Sequence, residues 1–275
     1  AFTEPYRKGL ELAIEEANAR GGAAGRPIRL IVRDDAGEPG EAVKIAEELV
    51  GREGAAFVTG GFFSNVGLAL ASFALQREVL YIAGEPLADA LVWAQGNRFT
   101  FRLRPSTWMQ AAMLGAVAAQ QRATRWATIA LDYAYGKEAV AAFKDVMGRL
   151  RPEIEWVAEQ WPPLFKIDAG AELQALAAAR PEAIYNVTFG ADLAKLVREG
   201  NDRGFFEGRF VVGLLGGEPE YLEPLGPDTP EGWLVTGYPW DRIGTPAHDT
   251  FLAAYRARWR DHPRLGSLVG YNLGL

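Results

Sequence analysis

Cysteine is absent from the 275 residues, and histidine occurs only twice, at His248 and His262. Without thiols the chain can form no disulfide, no thiolate nucleophile and no zinc–thiolate site. Both histidines sit in a polar C-terminal stretch without convergent ligands, so no metal is expected. Positive charge is also scarce. The 29 Lys and Arg against 35 Asp and Glu leave a formal charge of −6 with no basic run, which makes nucleic acid and anionic membranes poor partners. The longest apolar stretches, such as 66–75, fall well short of the roughly 18 residues that span a bilayer, so no membrane insertion is expected. What the chain does have is ordinary: 49% hydrophobic and 23% charged residues, with 31 Gly and 16 Pro. That composition belongs to folded domains and excludes disordered and low-complexity classes.

Short β-rich runs alternate with helical stretches from end to end. Tyr6, Leu10, Ala13, Ile14 and Ala17 share one helical face, and Gly21-Gly22 ends that helix. Strands are predicted at 28–32, 55–58 and 79–82, with helices around 42–50 and 64–76 between them. At 97–104 the alternation of charge and apolarity reads as a strand running into a crossover at Pro105. A second series follows, with helices at 107–121, 136–150, 171–179 and 191–203. Its strands are predicted at 126–131, 154–158, 183–187, 209–212 and 232–236. The loop-like stretch 238–246 is a second junction, after which come a helix carrying Phe251, Tyr255 and Trp259 and another beginning near Leu265. The expected architecture is α/β: two doubly wound parallel-sheet lobes joined by a hinge, 1–103 with 246–275 as lobe 1 and 104–245 as lobe 2. Both termini read as truncated, because a doubly wound lobe opens with its central strand and the first element here is a helix.

Most signatures of chemistry are missing. Gly60-Gly61-Phe62-Phe63-Ser64-Asn65 follows a strand and opens a helix, but it is neither a dinucleotide fingerprint nor a phosphate loop with its lysine. None of the four serines lies in a nucleophile elbow. No catalytic residue, and hence no enzyme, is expected. What remains is polar capping at the carboxyl ends of strands, where small ligands bind in open α/β sheets. Ser64 reads as such an N-cap.

Several segments, in order and spacing, then carry a resemblance: Gly9-Leu-Glu-Leu-Ala-Ile-Glu-Glu-Ala-Asn-Ala-Arg-Gly-Gly22, Ile31-Val-Arg-Asp-Asp35, the Gly60–Ser64 loop, Phe101-Arg102, Asp132-Tyr-Ala-Tyr-Gly136 and Glu231-Gly-Trp-Leu-Val-Thr236. Over nearly its whole length the chain resembles the branched-chain amino-acid-binding proteins of ABC importers, which have the type I periplasmic binding fold. The resemblance implies a periplasmic or extracellular, non-catalytic protein whose signal peptide has been removed. It is expected to need no cofactor, to be a monomer, to close over a small-molecule ligand in the interlobe cleft and to deliver it to a membrane permease. It also implies that the missing ends are a first strand and the last lobe-1 elements. A sensor domain of a signalling receptor with the same fold is the alternative.

Carried over residue by residue, Ser64 matches the family serine whose hydroxyl and neighbouring amides hold the ligand carboxylate. Tyr135 matches a lobe-2 tyrosine that covers the ligand, Phe189 stands where many members have another tyrosine, and Phe2 where an aromatic lines the pocket. Three positions depart from the pattern. Leu87 replaces a ligand-binding threonine, Glu85 replaces an alanine, and Leu215, in Gly213-Leu-Leu-Gly-Gly-Glu218, stands near the acid that neutralises an α-ammonium. Burying an unpaired ammonium costs several kcal/mol, so such a site should prefer a hydrophobic carboxylate or amide. Phe62, Phe63 and Trp108 complete the candidate lining. A true branched-chain or aromatic amino acid is the alternative, with Glu85 or Glu218 pairing the ammonium. Ser64→Ala is expected to weaken binding while leaving the ligand-free melting temperature unchanged.

Overall fold

The computed structural model describes residues 3–275. Along the chain run α1 (Thr3–Ala19), α2 (Pro39–Gly51), β1 (Phe57–Thr59), α3 (Ser64–Arg77), β2 (Leu80–Ala83), β3 (Thr100–Arg102) and α4 (Thr107–Ala118). There follow β4 (Arg125–Ala130), α5 (Ala134–Leu150), β5 (Glu155–Gln160), α6 (Ala169–Ala179), β6 (Ala183–Val187) and α7 (Gly190–Asp202). The chain ends with β7 (Phe210–Gly217), α8 (Pro219–Leu225), β8 (Leu234–Gly237), α9 (Pro246–Trp259) and α10 (Leu265–Leu273). It divides into two compact units: residues up to Pro105 together with Pro239–Leu275, and Ser106–Tyr238.

The first unit holds a three-stranded parallel sheet in the order β1-β2-β3. Val58, Tyr81 and Ala83 pack with Ala42 and Ala46 of α2 and with Val66, Leu70 and Phe73 of α3. A separate cluster joins Tyr6 and Leu10 of α1 to Val269 of α10. These two helices touch backbone to backbone, because a Cβ on Gly9 would lie 1.9 Å from the Ser267 carbonyl oxygen and one on Gly270 would lie 2.0 Å from that of Tyr6. The apolar run at 28–32, expected as a strand, joins no ladder among the described residues. Its β-branched sequence favours extension, yet a strand exists only where a neighbour accepts its backbone bonds.

The second unit holds a five-stranded parallel sheet ordered β5-β4-β6-β7-β8. Two of its interior strands, β4 and β6, are buried along nearly their whole length, as parallel strands covered on both faces must be. Ala127, Ile129 and Ile184 meet Leu173 and Leu176 of α6 and Leu196 of α7. On the other face Trp126 lies against Phe143 of α5, whose ring stacks on Tyr185 at 4.0 Å and 10°. Strand β7 continues to Gly217, five residues beyond its predicted end. Its register shifts between Gly213 and Gly217, with Leu215 at φ +68°. The Leu215 N–H turns away from the ladder and donates to the Thr236 hydroxyl at 3.1 Å, so the strand bulges there.

Candidate ligand-binding site

In the first unit the candidate residues gather at the carboxyl ends of β1 and β2. Gly60 and Gly61, at φ +99° and +71°, make a left-handed turn that side chains rarely adopt. It carries the chain into Phe62 and Phe63, whose half-buried rings meet edge to face at 5.1 Å. Ser64 is not the N-cap expected from the sequence: Phe63 occupies that position and Ser64 is the first helical residue. Its side chain, only 2% exposed, turns instead to the segment after β2. There it accepts hydrogen bonds from the backbone N–H of Leu87 at 3.4 Å and of Ala88 at 3.2 Å. With both lone pairs so engaged, the hydroxyl proton is the group's remaining hydrogen-bonding capacity. The first-turn amides of α3 lack intrahelical acceptors in the same place.

The segment Glu85–Ala88 is braced from the end of β3 and the residues just after it. Arg104 donates to Glu85 Oε2 at 2.9 Å, and both side chains are at most 5% exposed. Arg102 donates to the Ala88 carbonyl at 2.8 Å. The Tyr6 hydroxyl bonds Thr59 Oγ1 at 2.5 Å. Burial holds its pKa well above the usual phenol range, and the nearby Glu85 charge adds to that. Leu87 is buried. Phe2 lies outside the described residues.

In the second unit Tyr135, Phe189, Leu215 and Glu218 come from the carboxyl ends of β4, β6 and β7. Tyr135 lies in the first turn of α5 and Phe189 caps α7, with their rings 6.0 Å apart. Sequence reasoning missed three further aromatics of this cluster. Tyr133 lies 5.9 Å from Tyr135 and 6.3 Å from Phe189, while Phe165 and Tyr221 lie 6.5 and 6.3 Å from Phe189. Tyr133 shares the Asp132–Gly136 motif and could have been read from it. Phe165 comes from the loop before α6 and Tyr221 from α8, and neither carries a local signal. Burial raises the Tyr135 pKa well above the phenol range, with smaller contributions from Tyr185, Tyr133, Tyr221 and Glu218. Its hydroxyl finds no hydrogen-bond partner among the described residues. Glu218, 3% exposed, is the residue before α8, and its N–H bonds the Leu215 carbonyl at 3.0 Å. Trp108 stands on α4, 40% exposed.

Among the described residues, no cluster of three or more His, Cys, Asp or Glu could hold a metal ion, and no helix is long and apolar enough to cross a membrane. Of the two histidines, His248 is buried on α9 and His262 stacks on Trp240 at 4.7 Å.

The profile of a family described as periplasmic binding protein matches residues 1–274. A Leu/Ile/Val-binding protein homolog 2 of Brucella abortus is 40% identical over 83 residues, 30% of this chain and 22% of that protein's length. Among solved structures, a solute-binding protein of an ABC transporter from Rhodopseudomonas palustris BisB5, in complex with 3,4-dihydroxybenzoic acid, superposes with a TM-score of 0.84. It is 22% identical and covers 98% of this chain and 73% of that one. The branched-chain amino acid transporter substrate-binding protein LivJ of Streptococcus pneumoniae, in complex with isoleucine, gives 0.85 at 21% identity, covering 100% of this chain and 77% of that one. By the profile match along nearly its whole length, and by its paired parallel α/β sheets, the chain belongs to the periplasmic binding protein family.

Proposed function

We propose that the protein is the extracytoplasmic solute-binding component of an ABC importer. In this reading it takes up a small hydrophobic carboxylate or amide and passes it, chemically unchanged, to a membrane permease. The observation that carries the ligand class is the hydrogen bonding of Ser64. Its oxygen is engaged by Leu87 and Ala88, so the hydroxyl offers a proton beside the first-turn amides of α3. That set of donors suits an anion or a carbonyl oxygen. Glu85 is engaged by Arg104, and Leu215 offers hydrocarbon where an ammonium would need an acid. The likeness to a protein holding 3,4-dihydroxybenzoic acid supports this reading.

Glu218 favours a second reading. It lies close enough to Tyr135 to affect its titration, and a carboxylate amid aromatic rings suits an ammonium. An amino acid would then be the solute, as isoleucine is for LivJ.

Thermal shift across benzoates, short fatty acids, amides, and branched-chain and aromatic amino acids separates the two. Ligand at about 100 times its Kd adds roughly 2.7 kcal/mol, which is several degrees of melting temperature. Shifts with carboxylates or amides alone are expected. A shift with leucine or isoleucine favours the second reading and makes Glu218→Gln the next variant. Conversion of a bound solute, followed by NMR, would overturn the transport role in favour of an enzyme.

A further inference from the structure

In the second unit the chain between β5 and α6 is a short loop, 161–168, fastened at both ends. At its start the Asp132 N–H donates to the Pro162 carbonyl at 2.9 Å, and the Lys137 ammonium lies 3.9 Å from the centre of the Trp161 ring. At its end Asp168 caps α6, accepting from the Ala171 N–H at 3.0 Å. Between these ties the Lys166 N–H donates to the Pro163 carbonyl at 3.0 Å and closes a four-residue turn. Phe165 is the third residue of that turn, at φ +60°. A positive φ at the third position is the requirement of type II turns, and glycine is the residue that meets it without strain.

An aromatic residue at a glycine position has to be held there, and strain of this kind collects where side chains meet ligands. The holder is Asp192, fully buried in the first turn of α7. Its carboxyl oxygens accept from the Phe165 N–H at 2.6 Å and from the Ile167 N–H at 3.4 Å. Phe189 caps the same helix, so one helix end carries Phe189 and also fixes Phe165. The two rings meet edge to face, 6.5 Å apart at 85°. Phe189 is buried, whereas Phe165 is 45% exposed. Packing in the core does not account for a ring kept half in solvent by a strained turn. A surface for the solute does.

The rings also indicate what that surface receives. An aryl group set against perpendicular rings gains an interaction beyond the area it buries, and an alkyl group of similar size gains the area alone. We propose that Phe165 is a specificity-determining residue of the solute site, selecting solutes whose apolar end is an aryl ring, and that Asp192 is its positioning residue. The proposal rests on the solute-binding reading above and adds to it the class of the apolar end, whatever the head group.

Calorimetric titration of aryl and alkyl solutes matched in head group provides the test: benzoate with cyclohexanecarboxylate, benzamide with cyclohexanecarboxamide, phenylalanine with leucine. The parent should favour the aryl member of each pair it binds. Phe165→Gly suits the turn and should melt close to the parent, yet lose about tenfold in aryl affinity and little in alkyl affinity. Asp192→Asn should shrink the aryl preference of the parent and leave that of Phe165→Gly unchanged. In the parent the amides of 165 and 167 should exchange slowly with solvent. Fast exchange at both, or an aryl-to-alkyl ratio that Asp192→Asn does not move, would overturn the role of Asp192. A parent that prefers the alkyl members, or a Phe165→Gly variant that keeps the full aryl preference, would overturn the proposal and leave the solute-binding reading standing. A parent that binds no member of the panel would overturn that reading, and the proposal with it.

Discussion

The sheets of the two units are written in the same alternation of strand and helix, but they reach different states of completion. In the second unit β4 is hydrogen-bonded on both edges, and Trp126, Ala127, Ile129 and Ala130 are fully buried. In the first unit β1 is three residues long and, among the described residues, bonded on one edge; Phe57 is 41% exposed and Val32 is 52% exposed. Both runs are apolar and β-branched. The difference teaches that composition sets which segments extend, whereas partner strands decide which of them become sheet. The first unit compensates with helices: α1 and α10 meet at glycines, and Leu12, Phe251 and Tyr255 form a further cluster.

The largest effect is expected from cutting into the complete sheet. Phe143 is fully buried, stacked on Tyr185 and in contact with Trp126. Phe143→Ala should cost about 3–5 kcal/mol, whereas Val32→Ala, half in solvent, should change stability by less than about 0.5 kcal/mol. Urea unfolding, with exchange protection of β6 and β2 as separate reporters, checks the contrast. Equal losses from the two variants would show that the first unit is as tightly packed around 30–33 as the second is around β4.

A smaller effect is expected at Ser64, and it revises the expectation drawn from sequence. Removing a hydroxyl that accepts from two buried amides leaves both N–H groups unpaired, which costs about 1–3 kcal/mol. Ser64→Ala should therefore lower the ligand-free melting temperature as well as the affinity. Ser64→Thr, which keeps the oxygen, should recover most of the stability. If Ser64→Ala melts like the parent, the bonds to Leu87 and Ala88 are not formed in solution.

What was legible in the sequence follows the range of the forces involved. Strand β6 lies at the residues predicted, because five successive apolar or amide-bearing residues between turn signals leave little choice. The extent of β7 was not legible, because glycines around Leu215 read as a turn and the hydroxyl that stabilises the bulge belongs to Thr236, 21 residues away. The same holds at the candidate site. Ser64 was recognised as a polar residue at the head of α3, but its partners lie 23 and 24 residues on. Glu85 could be read as a turn residue until Arg104, 19 residues later, was found against it. Local pattern finds the positions, and their partners are set by the fold.

The smallest effect tests how the first unit holds α1 to α10. Tyr271 on α10 donates to Glu16 of α1 at 2.7 Å. Burial and the Glu16 carboxylate push its pKa up to about 12. The folded state therefore keeps this proton more tightly than the unfolded chain does. Its contribution is fully present below the ordinary phenol pKa of about 10 and is lost as pH rises through about 12. Tyr271→Phe should cost about 1 kcal/mol at neutral pH and should flatten the fall in stability across that alkaline window. Denaturation midpoints from about pH 9 to about 12 for the two proteins provide the measurement. A variant whose alkaline slope matches the parent's would mean that the α1–α10 seam rests on its glycine contacts and on the Tyr6, Leu10 and Val269 cluster. The bond to Glu16 would then be one of the exposed contacts that solvent replaces at no cost.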